Sequence, residues 1–228
     1  MEKTAGTASV RDMTQIRHET LNEKAYFELK NSIMSGQVLP GEVLRIRGLA
    51  DRYGVSPTPI REALKQLVAE HALEVLPNRS IIVPLLSRTK FDELTRIRLA
   101  LEGLAAELAA NRSDGKLVSN LEKLDRRMQE ATNRESVQDY LGLNEEFHFT
   151  VYRASASPNL LNFIEILWLQ VGPFLNNLFR IGKFDYDVNA FHGEIIQSLL
   201  KGDARAVGKA IQKDISESAE HLRRFLEP

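Results

Sequence analysis

The sequence of 228 residues contains no cysteine. Without thiols the chain can form no disulfide framework, no thiolate zinc finger, no iron–sulfur cluster and no cysteine nucleophile. It also has no apolar run approaching the ~20 residues of a membrane span, and its polar first twenty residues do not resemble a signal peptide. We therefore expect a cytoplasmic protein without membrane contact, in which any metal site uses histidine, carboxylate or amide ligands.

The chain has no large excess of charge of either sign. Lys and Arg number 30 and Asp and Glu 31, so the net charge of −1 argues neither for nor against binding to nucleic acid. The balance of 43% hydrophobic and 27% charged residues is that of a globular protein. A shift from mixed to all-helical pattern after Pro84 predicts three parts: a flexible segment over 1–20, a first domain over 21–86 and a second over 90–226.

The first domain has the pattern of a winged helix-turn-helix. Apolar spacing predicts helices over 21–35, over 46–53 and from Pro57 onward, with Gly36 and Gly54 ending the first two and Ser56 capping the third. Two short aliphatic runs, separated by Pro77-Asn78-Arg79, then predict a β-hairpin. In such a domain the second helix of the helix-turn-helix enters the major groove of DNA and the hairpin forms the wing.

Cationic and polar residues occupy the positions of this domain that face DNA. Arg61 and Lys65 are four residues apart on one helix face, and Thr58 at the helix start favours phosphate binding. Arg can read guanine in bidentate fashion, whereas Lys neutralises phosphate. For any one of these side chains, an ordinary solvated surface is the alternative. The predicted DNA-binding residues are Arg45, Arg47, Ser56, Thr58, Arg61, Lys65, Asn78 and Arg79.

Residues 40–83 resemble the DNA-binding domain of the GntR superfamily of bacterial transcription regulators. The resemblance is carried in order by Pro-Gly, Leu-Ala, Gly-Val-Ser, Thr-Pro, Arg-Glu-Ala-Leu and Pro-Asn-Arg. It implies that Arg47 and Arg61 contact the operator. Pro57 stands where many members carry a third DNA-contacting arginine, and Ser80 replaces the usual glycine of the wing tip.

The second domain is predicted to be all-helical, over 88–111, 116–133, 136–155, 158–180, 184–201 and 203–226. Asn144 and His148 lie at i and i+4, close enough to share a metal ion. His192 lies on a later helix, and Asp214 and His221 lie on the last one. Spacing does not show that these helices meet, and a hydrogen-bonded core histidine is the alternative for His148.

Residues 91–225 resemble the FadR-type ligand-binding domain of the FadR subfamily, an antiparallel helical bundle. The resemblance is carried by Arg98-Leu-Ala-Leu-Glu102, Asn144 to His148, Phe191-His192 and Gly202-Asp-Ala-Arg-Ala206. It implies a divalent metal ion of the zinc, nickel or manganese class. Asp214 replaces a histidine of the family and favours harder metals. The implied ligands are Asn144, His148, His192 and Asp214, with His221 in reserve.

Together these features predict a homodimeric transcription regulator, most simply a repressor, and no enzyme. The family resemblance implies that its DNA is a near-palindromic double-stranded operator and that its effector is a small organic acid paired with Arg98. A salt bridge from Arg98 to Glu102 is the alternative for that arginine, and Trp168, Phe174 and Phe179 are expected in the core. The competing functions are a metal-free acyl-CoA sensor of the same family and a metal-dependent hydrolase.

Overall fold

A computed structural model describes residues 20–179 and 190–226. The fold is mainly helical, as the sequence predicts. All but the last residue of the predicted flexible segment 1–20 lie outside the described residues, as do residues 184–189 of the helix predicted over 184–201. The described part of that helix begins only at His192, because residues 190 and 191 form a turn. The first domain comprises α1 (Leu21–Met34), β1 (Val43–Leu44), α2 (Ile46–Tyr53), α3 (Pro57–Ala69), β2 (Glu74–Val75) and β3 (Ile81–Ile82).

Local chemistry sets the ends of the first three helices. Thr20 and Glu23 form a reciprocal capping box at the start of α1. Gly54 ends α2 with a φ of 65°, a left-handed conformation that glycine adopts without strain. Ser56 is the N-cap residue of α3, but its side chain makes no capping hydrogen bond, contrary to our prediction. The ring of Pro57, which favours helical φ in the first turn, sets the start of α3 instead.

The wing is a three-stranded antiparallel sheet in the order β1-β3-β2. The predicted hairpin is present, and Asn78 and Arg79 lie in its turn, where the Asn78 side chain accepts a hydrogen bond from the Ser80 amide at 3.0 Å. The prediction of two strands was incomplete, since Val43 and Leu44 pair with Ile82 and Ile81. Two residues are too few to show the alternation that identifies a strand in a sequence.

The second domain is a bundle of six described helices, none long and apolar enough to cross a membrane. The helix predicted over 158–180 ends at Leu175, two residues after Pro173, and continues as a 3₁₀ turn. The elements are α4 (Arg88–Ala110), α5 (Gly115–Asn133), α6 (Val137–Ala154), α7 (Pro158–Leu175), the 3₁₀ turn (Asn176–Phe179), α8 (His192–Leu200) and α9 (Ala204–Arg223).

The two domains meet where α1 packs on α7. Lys30 Nζ lies 2.5 Å from Glu165 Oε2, and Asn176 Nδ2 donates to the Gly36 carbonyl at 3.2 Å. The backbones approach so closely at Gly172 that a Cβ atom there would lie 2.6 Å from the Met34 carbonyl oxygen. Only glycine fits at that point, so the docking of α1 depends on the absence of a side chain.

We expect Gly172→Ala to destabilise the junction by about 1–3 kcal/mol, because backbone atoms of α1 must move to admit the methyl group. Chemical denaturation would measure the loss. Gly142→Ala is the matched control, since nothing lies within 4 Å of its added Cβ. Alanine in that helix interior should stabilise the protein by about 0.5–1 kcal/mol. Equal unfolding free energies for the two variants would contradict the close approach.

Candidate functional site

Three of the predicted metal ligands converge in the interior of the bundle. His148 on α6, His192 at the start of α8 and Asp214 on α9 are buried, and one ligand atom of each lies within 4.8 Å of the others. His148 Nε2 is 3.3 Å from one carboxylate oxygen of Asp214, and His192 Nε2 is 3.9 Å from the other. We call these three residues the triad. The fold therefore brings together side chains that are up to 66 positions apart in the sequence.

Hydrogen bonds determine the tautomer of His148, and with it whether the nitrogen that faces Asp214 carries a hydrogen or a lone pair. The Tyr152 hydroxyl donates its one hydrogen to Glu102 at 2.6 Å, so it accepts from His148 Nδ1 at 3.1 Å. Burial, reinforced by the Glu102 charge, raises the pKa of Tyr152 and keeps the hydroxyl protonated. A neutral His148 then directs the bare Nε2 at a carboxylate oxygen. Two acceptors at 3.3 Å are stable only with a positive charge between them, either a proton or a metal ion.

The Asp214 carboxyl is ionised despite its burial. Burial alone would raise its pKa. When the positive charge between the two groups is a proton on His148, the hydrogen bond and charge of His148, together with the charges of His192 and Arg98, lower that pKa. An ionised carboxylate is the form that ligates a metal. The site thus supplies one negative charge and two imidazole nitrogens in a water-poor interior.

The donor set fits a divalent cation. Donors bound tetrahedrally at ~2.1 Å stand about 3.4 Å apart. The three donors, which lie within 4.8 Å of one another, would therefore have to move closer together around an ion. Ligating histidines donate the other ring nitrogen to a hydrogen-bond acceptor, as His148 does to Tyr152. Asp125 Oδ1 lies 3.9 Å from His192 Nδ1, on the side of the ring away from Asp214. Two histidines and one carboxylate are a ligand set that divalent first-row metal ions accept.

Asn144 and His221 differ in their relation to the triad. Asn144 is half-buried on α6, one helical turn before His148, and its role as a fourth ligand stays a prediction. His221 is half-buried near the end of α9 and is not a member of the converging group. The reserve candidate is therefore not needed to complete a three-ligand set.

Arg98 is buried and forms the salt bridge with Glu102 that we considered as the alternative to effector binding. Its Nε donates to Glu102 Oε1 at 2.6 Å and its Nη2 to Oε2 at 3.3 Å. Glu102, fully buried, also accepts from Tyr152 and from Trp168 Nε1 at 3.0 Å. Nη1 is the guanidinium nitrogen that makes neither bond to Glu102, so a role for Arg98 toward an effector depends on that nitrogen.

Sequence reasoning missed two participants in this network, Tyr152 and Asp125, and considered Glu102 only as a salt-bridge partner of Arg98. Glu102 and Tyr152 connect Arg98 to the triad, and Asp125 lies beside His192. Trp168 was predicted in the core and is buried there, but it also donates to Glu102. The only signal available was the i, i+4 spacing of His148 and Tyr152 on α6, which is too common to single out a tyrosine.

On the first domain, the helix-turn-helix presents its predicted DNA-binding residues to solvent. Ile60, Leu64 and Leu67 of α3 are buried, which turns Arg61 and Lys65 outward. Lys65 pairs with Glu62 at 2.9 Å, an exposed ion pair that phosphate can replace. Contact with DNA itself remains a prediction for this set. All eight predicted residues are exposed: Arg45, Arg47, Ser56, Thr58, Arg61, Lys65, Asn78 and Arg79.

Comparison with known proteins covers both domains. Residues 21–83 match the model of the bacterial regulatory proteins of the gntR family, and residues 93–217 match the FCD domain. The chain is 33% identical over 166 residues to the HTH-type transcriptional regulator McbR of Escherichia coli K12, covering 73% of this chain and 75% of McbR. It is 25% identical over 214 residues, 91% of each chain, to the HTH-type transcriptional repressor RspR of the same organism.

A solved structure agrees with these matches. The E. coli McbR/YncC structure superposes with a TM-score of 0.85 at 27% identity, covering 90% of this chain and 98% of that chain. McbR and RspR are both transcriptional regulators rather than enzymes. The chain belongs to the GntR family of bacterial transcription regulators, with an FCD domain as its second domain.

Proposed function

We propose that this regulator is a homodimeric repressor whose binding to a near-palindromic operator is modulated by a small organic acid held through a divalent metal ion. The observation that carries the proposal is the buried triad of His148, His192 and Asp214. Repression is supported by a relative that is named a repressor. A protein that acts on the bacterial chromosome acts in the cytoplasm.

His148, His192 and Asp214 would hold the metal ion, with Asn144 as a fourth, neutral ligand. When bound, the ion supplies a localised positive charge that attracts a carboxylate. Arg98 contributes a second cationic group, through the Nη1 nitrogen that makes no bond to Glu102. The ion belongs to the zinc, nickel or manganese class, and the carboxylate of Asp214 shifts the preference toward harder ions.

Helix α7 is the element that we propose couples the effector site to the DNA-binding domain. Trp168 of α7 donates to Glu102 beside the triad. One turn earlier on the same helix, Glu165 pairs with Lys30 of α1, and one turn later Gly172 touches the α1 backbone. An effector that prefers one position of α7 would thereby shift the population of domain arrangements.

Dimerisation is supported by an apolar stripe on α4. Ile97, Leu101, Leu104 and Leu108 follow one face of the helix at helical spacing, and Ile97 and Leu104 are 40% and 46% exposed. Large aliphatic side chains in a row on a helix surface are typical of an association face. A second copy of the chain would bury the stripe in a two-fold interface.

Leu104→Glu is expected to shift the protein from dimer to monomer, because a charge placed in an apolar interface must be buried without a partner. Sedimentation velocity would show the change. Leu200→Glu, at a similarly exposed leucine of α8, is the matched control and should leave the dimer intact. An unchanged dimer in Leu104→Glu would place the interface elsewhere.

Arg61→Ala is expected to weaken specific operator binding by ~1–3 kcal/mol, because the bidentate contact to a base is lost. Fluorescence anisotropy with operator DNA would measure it. Arg205→Ala removes an exposed arginine from the second domain and should not affect affinity. If the two variants bind alike, Arg61 does not read bases.

Operator binding in the presence of added acids tests the regulatory part of the proposal. Mono-, di- and tricarboxylates would be titrated against the metal-loaded and the chelated protein. We expect one class of acid to change operator affinity only when metal is present. A response to long-chain acyl-CoA that is independent of metal would instead support the metal-free sensor.

A further inference from the structure

His192 is the first residue of α8, where local helix chemistry does little to hold its side chain. Phe191, the residue before the helix, makes no side-chain capping hydrogen bond within the part of the chain that the structure describes. The imidazole is nevertheless fully buried and lies against the Phe147 ring, with 4.5 Å between the two ring centroids. The orientation of its ligating nitrogen therefore depends on side chains of other helices.

Asp125 of α5 reaches the edge of the His192 ring that faces away from Asp214. Its Oδ1 atom is 3.9 Å from His192 Nδ1, and on the other side of the ring His192 Nε2 is 3.9 Å from an Asp214 oxygen. Gln129, one helical turn further along α5, donates to Asp125 Oδ2 at 3.0 Å, so Oδ1 is the oxygen directed at His192. The imidazole thus lies between two carboxylates, one beside each ring nitrogen.

We propose that Asp125 is a positioning residue of the metal site, whose carboxylate accepts the Nδ1 hydrogen of His192 and so keeps the ligating Nε2 nitrogen bare. The inference rests on the proposed function, since it requires that the triad holds a divalent ion. An outer carboxylate of this kind fixes the tautomer and the ring orientation of a ligating histidine. A shift of about 1 Å by the Asp125 side chain, which is 17% exposed, brings the two atoms to hydrogen-bond distance.

Competition between the two carboxylates is the reason that an acceptor on the Nδ1 side matters. If Asp214 were the only carboxylate beside the ring, the single hydrogen of a neutral His192 would favour Nε2, where it can be donated to Asp214. A nitrogen that carries a hydrogen has no lone pair for an ion. Asp125 offers an acceptor of equal charge to Nδ1. Each histidine of the triad then has its own outer acceptor, since His148 Nδ1 lies 3.1 Å from the Tyr152 hydroxyl.

Charge balance supports the same role. Two neutral imidazoles and the Asp214 carboxylate supply one negative charge to a divalent ion, whereas Asp125 and Asp214 together supply two. The positive charge of Arg98 is already balanced by its salt bridge to Glu102. A buried ion is less costly when its whole charge is matched nearby. Asp125 therefore strengthens metal binding through charge as well as through the orientation of His192.

Zinc titration of the full chain in competition with a chromophoric chelator tests the proposal. We expect Asp125→Leu, which removes the acceptor at similar side-chain size, to weaken zinc binding about 10- to 100-fold. Asp125→Asn keeps an acceptor oxygen but loses the charge, so its affinity should lie between that of Asp125→Leu and that of the unaltered chain. Glu130→Leu is the matched control, because Glu130 is an exposed glutamate on the same helix. It should bind zinc as the unaltered chain does.

Cobalt(II) gives a readout that a merely structural role would not change. Its visible absorption depends on ligand geometry, so the spectrum of the cobalt-loaded protein should differ in Asp125→Leu, while the metal-free protein melts as the Glu130→Leu control does. The proposal is overturned if Asp125→Leu binds zinc as tightly as Glu130→Leu, or if its cobalt spectrum is that of the unaltered chain. If His148→Ala binds zinc as tightly as the unaltered chain, the triad does not hold the metal, and the proposed function fails with this inference.

Discussion

Glu102→Ala is expected to lower the free energy of unfolding by about 3–5 kcal/mol, because it leaves a buried arginine without its counter-charge. The carboxylate accepts four hydrogen bonds, from Arg98 through two nitrogens and from Tyr152 and Trp168. Arg98, Tyr152 and Trp168 then each lose a hydrogen-bond acceptor, and water does not replace that acceptor in the buried interior. Urea denaturation monitored by circular dichroism would measure the change.

Glu130→Ala is the matched control for this prediction, since Glu130 is an exposed glutamate on α5. Its cost should stay within about 0.5 kcal/mol. The double variant Arg98→Met/Glu102→Leu should recover part of the stability, because neither charge is then buried alone. A loss below about 1 kcal/mol in Glu102→Ala would show that the four hydrogen bonds do not persist in solution.

Removal of metal is expected to have an effect of similar size. A ligand that binds the folded state alone, present at a thousand times its dissociation constant, stabilises that state by about 4 kcal/mol. The melting temperature should therefore fall on chelation and recover when a divalent ion is added back. In His148→Ala, the melting temperature should be lower from the start and should not respond to chelator, because one of the three donors is gone.

His221→Ala is the control for the metal prediction, because it removes a histidine that is not part of the triad. Elemental analysis of both variants gives a second measurement beside the melting temperature. Equal metal content in His148→Ala and the unaltered chain would mean that the ion is held elsewhere. Loss of metal in His221→Ala but not in His148→Ala would make the reserve candidate the ligand.

Much of the fold follows from local sequence chemistry. Helix periodicity and the breaks at Gly36, Gly54 and Pro158 predict the helices of the described residues to within a few positions. Three elements depart from the prediction, and α8 is one of them, since it begins only at His192. Helix α7 ends at Leu175, earlier than predicted, and β1 is only two residues long and pairs with the distant β3.

The candidate site was predictable where the family resemblance supplies long-range information. Sequence spacing predicts that Asn144 and His148 lie on one face of the same helix. It does not predict that His192 and Asp214, on later helices, lie beside them. The Glu102 network was not predictable, because Tyr152 and Trp168 lie 50 and 66 positions from Glu102 in the sequence. The salt bridge between Arg98 and Glu102 was predictable as an alternative, because the two residues are one helical turn apart, and the structure contains it.

Trp168 is the only tryptophan among the 228 residues of the chain. Its indole ring lies 5.6 Å from the His148 ring, with the Arg98 guanidinium 5.1 Å from the indole centroid. Fluorescence excited at 295 nm, roughly where indole alone among side chains absorbs strongly, therefore originates beside the triad. Trp168 is therefore an intrinsic fluorophore beside the triad, and a paramagnetic ion bound at the triad should quench its fluorescence. Metals and acids can thus be screened on the unlabelled protein in a cuvette, without knowledge of the operator sequence.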